Sequence, residues 1–288
     1  MINKIYKKIR SSYRRVAPQR LECFSDCKAV FQTGVGLEIG GASGIFGRRG
    51  YMPIYPLADR IDNCNFSSNT VWKGSIGEGN TFVYDKKKAA GRQFITEASD
   101  LSCIADCSYD FVLSSHCIEH LANPLKGLHE WVRVLKKDGL LVLVVPHKDG
   151  TFDHRRLVTS LTHLIQDFES EVGEGDLAHL EEILEFHDLS RDPGAGDFES
   201  FRERSMRNIE NRCLHQHVFD TRLAVSVVDY MKLQILAVEL FLPYHIVIVA
   251  RKPSLNQGVN NNRFLGVNSA PCWHSPFPGD QVAVGKVA

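Results

Sequence analysis

The stretch "YDFVLSSHCIEHLANPLKGLHEWVRVLKKDGLLVLVVP", residues 109–146, decides the fold. Its first seven residues favour β-structure and run into small polar ones, which reads as a strand. After Pro124 the apolar residues Leu125, Leu128, Trp131, Val132 and Leu135 recur at helical spacing, lysines fill the last turn and Gly139 follows as a stop. "LLVLVVP" (140–146) is then a continuous apolar run of strand length, the pattern of a strand covered by helices on both faces of a parallel sheet.

Working outward, "VGLEIGG" (35–41) and "RQFITEAS" (92–99) read as further strands. "LQILAVELF" (233–241) and "YHIVIVARK" (244–252) are separated only by Leu242 and Pro243, which predicts an antiparallel hairpin at the sheet edge. Strand and helix alternate, so the expected fold is α/β, a doubly wound, mostly parallel sheet over residues 31–252. Residues 151–230, rich in His, Asp, Glu and Arg with helical runs, are expected to form an insertion capping the sheet before the hairpin. From Pro253 to 288 the chain turns Asn-, Gly- and Pro-rich without periodicity, which predicts a flexible tail. Residues 1–30 form a basic leader. Its first fifteen residues carry six basic side chains and no acid, as in a helix touching anionic lipid or a partner, or in a solvated, frayed leader.

Lysine plus arginine and aspartate plus glutamate are both 34 in the 288 residues, so no global charge points to nucleic acid. The longest apolar run, Leu140–Val145, is far too short to span a bilayer. The eight cysteines include no C-x-x-C pair and read as reduced thiols of a cytoplasmic protein. Cys117, alone at a helix start, reads as a packed residue rather than a nucleophile.

His116, Glu119 and His120 have the H-x-x-E-H spacing of inverted zinc peptidases. Here a buried strand runs into His116 and Pro124 cuts any following helix short, so the histidines need not share a helical face. No metal is expected there. In the insertion, His179, His187, Asp188, His215 and His217 form no tight ligand motif, although His215 and His217 with Asp176 or Asp188 offer the ligand types for one. A histidine-lined polar cap is the expectation.

The segment "LEIGGASG" (37–44) places a glycine turn after the first strand, where a following helix is expected and a ligand can approach the backbone. Its glycines at 40, 41 and 44 do not give the G-x-G-x-x-G of dinucleotide binding. The segment instead resembles the first motif of class I S-adenosylmethionine-dependent methyltransferases, with Glu38, Gly40 and Gly44 matching and Ala42 in place of the middle glycine. Residues 109–146 resemble the fourth strand, helix and fifth strand of the small-molecule branch of that superfamily, where "EHL" and a "RVLKxGG" pattern recur; Asp138 here precedes a single Gly139. "PHKDGTFDHRR" and "HDLSRDPGAG" are similar to bacterial members found with cell-surface polysaccharide genes.

The resemblance implies a seven-stranded sheet of the Rossmann-like methyltransferase fold and S-adenosylmethionine as cofactor. By the match, Glu38 would order the turn and approach the methionine end, and Gly40, Gly41, Ala42, Ser43 and Gly44 would pass beside methionine and ribose. A carboxylate after the second strand would hold the ribose hydroxyls; Asp62 is the choice and Asp59 the rival. Glu97, Ala98 and Ser99 would border the adenine, and Ser114, Ser115 and His116 would floor the sulfonium. The implied reaction is transfer of a methyl group to a hydroxyl of a small molecule, a sugar or another glycan precursor. Such a transfer calls for a base, for which His147, His116 and His120 at the strand ends are candidates, with Asp149, Asp153 and His154 just beyond. A nucleic-acid partner is not expected, since "SSHC" replaces the polar-Pro-Pro-aromatic motif of base methylation. An NAD(P)-binding oxidoreductase or epimerase, and a non-catalytic cofactor-binding module, stand as alternatives.

Overall fold

The alternation of strand and helix takes a definite order in the computed structural model, which describes residues 19–254, 257–267 and 270–282. Residues 1–18, and with them most of the expected basic leader, lie outside the described residues. The described chain starts with helix α1 (Phe24–Phe31), which buries Cys27 and Phe31. Strands β1 (Val35–Ile39), β2 (Arg60–Asn65), β3 (Asn69–Thr70), β4 (Gly74–Ser75), β5 (Gly79–Phe82), β6 (Gly91–Ile95) and β7 (Tyr109–Ser115) follow. Helix α2 (Pro124–Val134) leads into β8 (Leu135–Pro146), and β9 (Gln234–Phe241) and β10 (His245–Arg251) close the sheet.

The strand order is β5-β6-β2-β1-β7-β8-β10-β9, with β3 and β4 forming a separate small hairpin. The five central strands are parallel, and β10 is antiparallel to both β8 and β9. The six strands located in the sequence are present, β2 completes the expected seven, and β5 adds an eighth, antiparallel to β6 at the edge. This is a doubly wound, mostly parallel sheet with an antiparallel hairpin at one edge.

The apolar run in β8 is continuous because both faces are covered. Leu141, Leu143 and Val145 join the core containing α2, whereas Leu140, Val142 and Val144 join the core containing Phe31, Phe46 and Ile54. Asn123 caps α2, its side chain accepting from Lys126 N at 3.0 Å, and Pro124 occupies the first turn, where its missing N–H costs nothing. The helix ends at Val134, so Lys136–Asp138 continue into β8 rather than filling a last helical turn. Fully buried Trp131 ties the helix to the sheet by donating from Nε1 to Ala98 O at 2.8 Å.

The expected cap forms. It contains helices α3 (Leu161–Glu169), α4 (Leu180–Phe186), α5 (Phe198–Met206) and α6 (Asn208–Asn211); α4 and α5 contribute Ile183 and Phe201 to a small core with Ala195 and Leu214, whereas Leu164 of α3 joins the main core. Helix α7 (Thr221–Tyr230) belongs instead to the sheet layer, where Ala224, Val225, Val227 and Val228 enter the main core, so the cap ends before residue 221.

The tail departs from expectation. Asn261 accepts from Ile235 N and donates to Asp229 and Leu233 O, all at 2.9 Å. Phe264 and Phe277 are buried, and the Asp280 carboxylate accepts from Thr221 Oγ1 at 2.6 Å. Single anchoring side chains dock the described part of this segment although it has no periodic apolar face. All eight cysteine thiols are unpaired. Among the described residues no helix is long and apolar enough to cross a membrane.

Candidate functional site

The connections of β1 leave toward opposite sides, to β2 on one and β7 on the other, so a crevice opens beyond its carboxyl end. A cleft of about 530 Å³ occupies that crevice, a size suited to a small organic ligand. The glycine turn, Asn65 and Phe66 after β2, Glu97 and Ala98 after β6, and Ser115 to Cys117 after β7 form its floor. Trp72 and Lys73 of the β3–β4 hairpin, and Phe152, Arg191, Arg212 and His215 of the cap, form its roof.

Glu38 builds the turn from beneath. Its carboxylate is fully buried and accepts from Ser43 N at 2.9 Å and from Tyr55 Oη at 2.9 and 2.7 Å. Burial pushes its pKa up to about 7, against the lowering effect of the Tyr55 and Ser43 hydrogen bonds. Gly40 has φ of 79°, a conformation favouring glycine, and a Cβ on Gly41 would stand 2.1 Å from the Glu38 carboxyl carbon. Among the described residues no helix follows the turn; irregular chain with Phe46, Met52, Ile54 and Tyr55 buried leads to β2. The amides of a helix start are therefore not offered to a ligand here.

Gly40, Gly41, Ala42, Ser43, Glu97, Ala98, Ser115, His116 and His120 line the cleft; Glu38, Ser99 and Ser114 are buried outside its lining, and Gly44 is exposed and does not line it. Two expected positions fall elsewhere. Asp62 sits in the middle of β2 and is spent on Arg92 N at 2.8 Å, Tyr109 Oη at 3.0 Å and Arg60 at 3.1 Å, facing a different cavity. The end of β2 in the cleft is Asn65, three residues on. His147 is fully buried, accepts from Asp149 N at 3.2 Å, stacks on Phe277 at 4.1 Å and faces Asp280 at 3.2 Å. The docked tail seals it from the cleft, which removes it as a base.

At the wall beyond β6 Glu97 is held by Arg212 at 2.5 Å, and Arg212 stacks over Phe66. The opposite end is rich in imidazole. His116, with φ of 52° at the close of β7, shares a 2.9 Å contact with His245. His120 contacts Leu214 O through Nδ1 at 3.0 Å and packs edge-on against Trp72. Burial pushes both down to about 3, so they are neutral.

The sequence reading passed over His215 as a cleft residue. Its Nδ1 stands 2.5 Å from Asp153, whose carboxylate also receives Arg156 at 3.1 Å. Despite burial, Asp153 pulls the His215 pKa up and is itself held low. Arg156 clamps the same segment by donating to His215 O at 2.7 Å and Gln216 O at 3.2 Å. The Asp153 partner of His215 lies 62 positions away in the sequence, so no local pattern marks the pair.

Fold and cleft thus define a doubly wound domain with a small-ligand site at its switch point. A methyltransferase-domain family profile matches residues 80–143, from β5 into β8. No curated protein sequence matches. Among solved structures, the proposed S-adenosylmethionine-dependent methyltransferase of Listeria monocytogenes is similar at 14% identity and TM-score 0.44, covering 80% of this chain and 96% of that one. The 1,6-didemethyltoxoflavin-N1-methyltransferase of Burkholderia thailandensis, solved with its substrate and S-adenosylhomocysteine, gives 12% identity, TM-score 0.42 and coverages of 88% and 86%. Such distant likenesses carry no argument about chemistry. The family match indicates S-adenosylmethionine as the cofactor.

Proposed function

We propose that this protein is an S-adenosylmethionine-dependent methyltransferase acting on a hydroxyl of a small molecule, most simply a sugar or glycan precursor. The observation that carries the reading is the coincidence of the methyltransferase-domain match with a cleft at the switch point of the sheet. The residues present fit the cofactor. The glycine turn allows close approach, Asn65 supplies an amide to ribose hydroxyls, and Ala98 and Phe66 supply apolar surface for a base.

When bound, the cofactor supplies an electrophilic methyl group on a sulfonium. Gly40 to Ser43 would hold its methionine portion, and Ser115 and His116 would stand beneath the methyl. The imidazole-rich end, with Thr151, Arg191 and Tyr244, offers the donors and acceptors that a polyhydroxylated acceptor needs. His215, fixed through Nδ1 by Asp153, is the group best placed to take the hydroxyl proton. The cap and Trp72 limit water at the reacting centre.

The test supplies purified protein with S-adenosylmethionine and a panel of sugar nucleotides, monosaccharides and small amine and thiol acceptors, and measures S-adenosylhomocysteine release. Acceptor-dependent release with a new O-methyl group is expected. Release only with amine or thiol acceptors would overturn the hydroxyl assignment.

A further inference from the structure

Outside the cleft, four side chains of metal-ligating type converge where the cap meets the sheet domain. His163 and Asp167 lie one turn apart on α3, His179 precedes α4, and His217 follows the segment that carries His215. Their ligand atoms all lie within 4.8 Å of one another. His163 Nε2 is 3.0 Å from His179 Nε2 and 3.3 Å from Asp167 Oδ2, and His217 Nε2 is 3.7 Å from Asp167 Oδ2. Zinc bonds of ~2.0–2.1 Å in tetrahedral geometry place neighbouring ligand atoms about 3.3 Å apart. The 3.0 and 3.3 Å separations lie close to that edge length, and His217, whose Nε2 is taken by Ala122 O, offers its unpartnered Nδ1.

Hydrogen bonding within the protein leaves this cluster incomplete. Asp167 Oδ2 is buried with no hydrogen-bond partner, and so is Nδ1 of His217, whose side chain is 1% exposed. Nε2 of His217 stands 3.2 Å from Ala122 O, and Nδ1 of His179 stands 3.8 Å from Glu182. Carbonyl and carboxylate partners of this kind orient ligating histidines in metal sites. His163 is partly exposed and leaves a path for an ion to enter.

We propose that His163, Asp167, His179 and His217 bind one zinc-type divalent cation that joins α3, the start of α4 and the 213–219 segment. Four protein ligands make such a site closed and structural rather than catalytic. Its functional consequence runs through His217. Two residues earlier His215 lines the cleft, so the cation fixes the segment that presents His215. Glu119, His120 and His215 form a second cluster of ligand types within the cleft. It has only three members, Glu119 and His120 are 4.0 Å apart, and Asp153 already engages His215.

The assignment stands apart from the methyltransferase reading, because metal content is measured without any cofactor or acceptor. Untagged protein is expressed with zinc supplementation, purified without chelators and analysed by mass spectrometry. About one zinc per chain is expected, and a cobalt-substituted sample should show the visible bands of a tetrahedral site. D167N and H179A should each lower zinc affinity by more than the roughly 100-fold that follows loss of an outer partner, while E119Q keeps the metal. Chelation should lower the Tm of the wild type and leave that of D167N unmoved. Wild-type protein that neither retains zinc nor gives heat on titration with zinc would overturn the proposal. Loss of the metal in E119Q with retention in D167N and H179A would overturn it equally.

Discussion

Replacement of Glu38 by glutamine separates two roles for this carboxylate, direct charge contact with the ligand and support of the glycine turn. The structure places the whole side chain behind Gly41, with Ser43 N and Tyr55 Oη as its partners. Glutamine keeps the volume and the acceptor for Ser43 N, so at acid pH the change costs about one net hydrogen bond, ~1 kcal/mol. Burial pushes the wild-type carboxyl up to about 7 in the folded protein, against 4.5 for an exposed glutamate. A raised acid pKa stabilises the fold below the lower value and loses that contribution as pH rises through the upper one. The protonation contribution is therefore complete below about pH 4.5 and gone above pH 7, amounting to about 3 kcal/mol. E38Q lacks this titration. Urea unfolding at pH 5 and pH 8 should show the difference between wild type and E38Q moving about 2–3 kcal/mol in favour of glutamine. No movement, or movement toward the wild type, would mean that the carboxylate is ionised throughout and would refute the burial argument.

Other consequences follow from the same contacts. Trp131→Ala empties a fully buried site and orphans Ala98 O, so urea unfolding should show a loss of about 3–5 kcal/mol. Asp153→Asn removes the charge partner of His215 and should lower kcat by about 10²–10⁴ with cofactor Kd unchanged. A parallel loss of cofactor affinity would place Asp153 in cofactor binding instead. Asn261→Ala breaks four hydrogen bonds, with Asp229, Leu233, Gln234 and Ile235, that hold the C-terminal segment to α7 and β9, which should cost about 2–3 kcal/mol and expose the amides of 257–267 to hydrogen exchange.

The sheet was legible because its signals are local. Leu140 to Val145 could be uninterrupted only in a strand covered on both faces, and Leu125, Leu128 and Trp131 mark one helical face. The glycine turn was legible for the same reason. The errors arose where sequence distance hides a contact. Asp62 had the right charge but belongs to the middle of β2, because the strand begins at Arg60 and reaches the cleft only at Asn65. His147 ends an apolar strand and looked exposed to a ligand, yet Phe277 and Asp280, some 130 residues later, close over it. The His215–Asp153 pair and the four-residue cluster in the cap depend on how short helices fold back, which no periodicity encodes. The tail lacked an apolar face because Asn261, Phe264, Phe277 and Asp280 each anchor it singly.

Calorimetric titration of the full chain with S-adenosylmethionine and, separately, with NAD tests the central claim most directly. The account predicts one S-adenosylmethionine per chain at micromolar Kd, no heat with NAD, and binding weakened when Gly41→Val forces a side chain into the space of the Glu38 carboxyl. Heat with NAD and none with S-adenosylmethionine would contradict it.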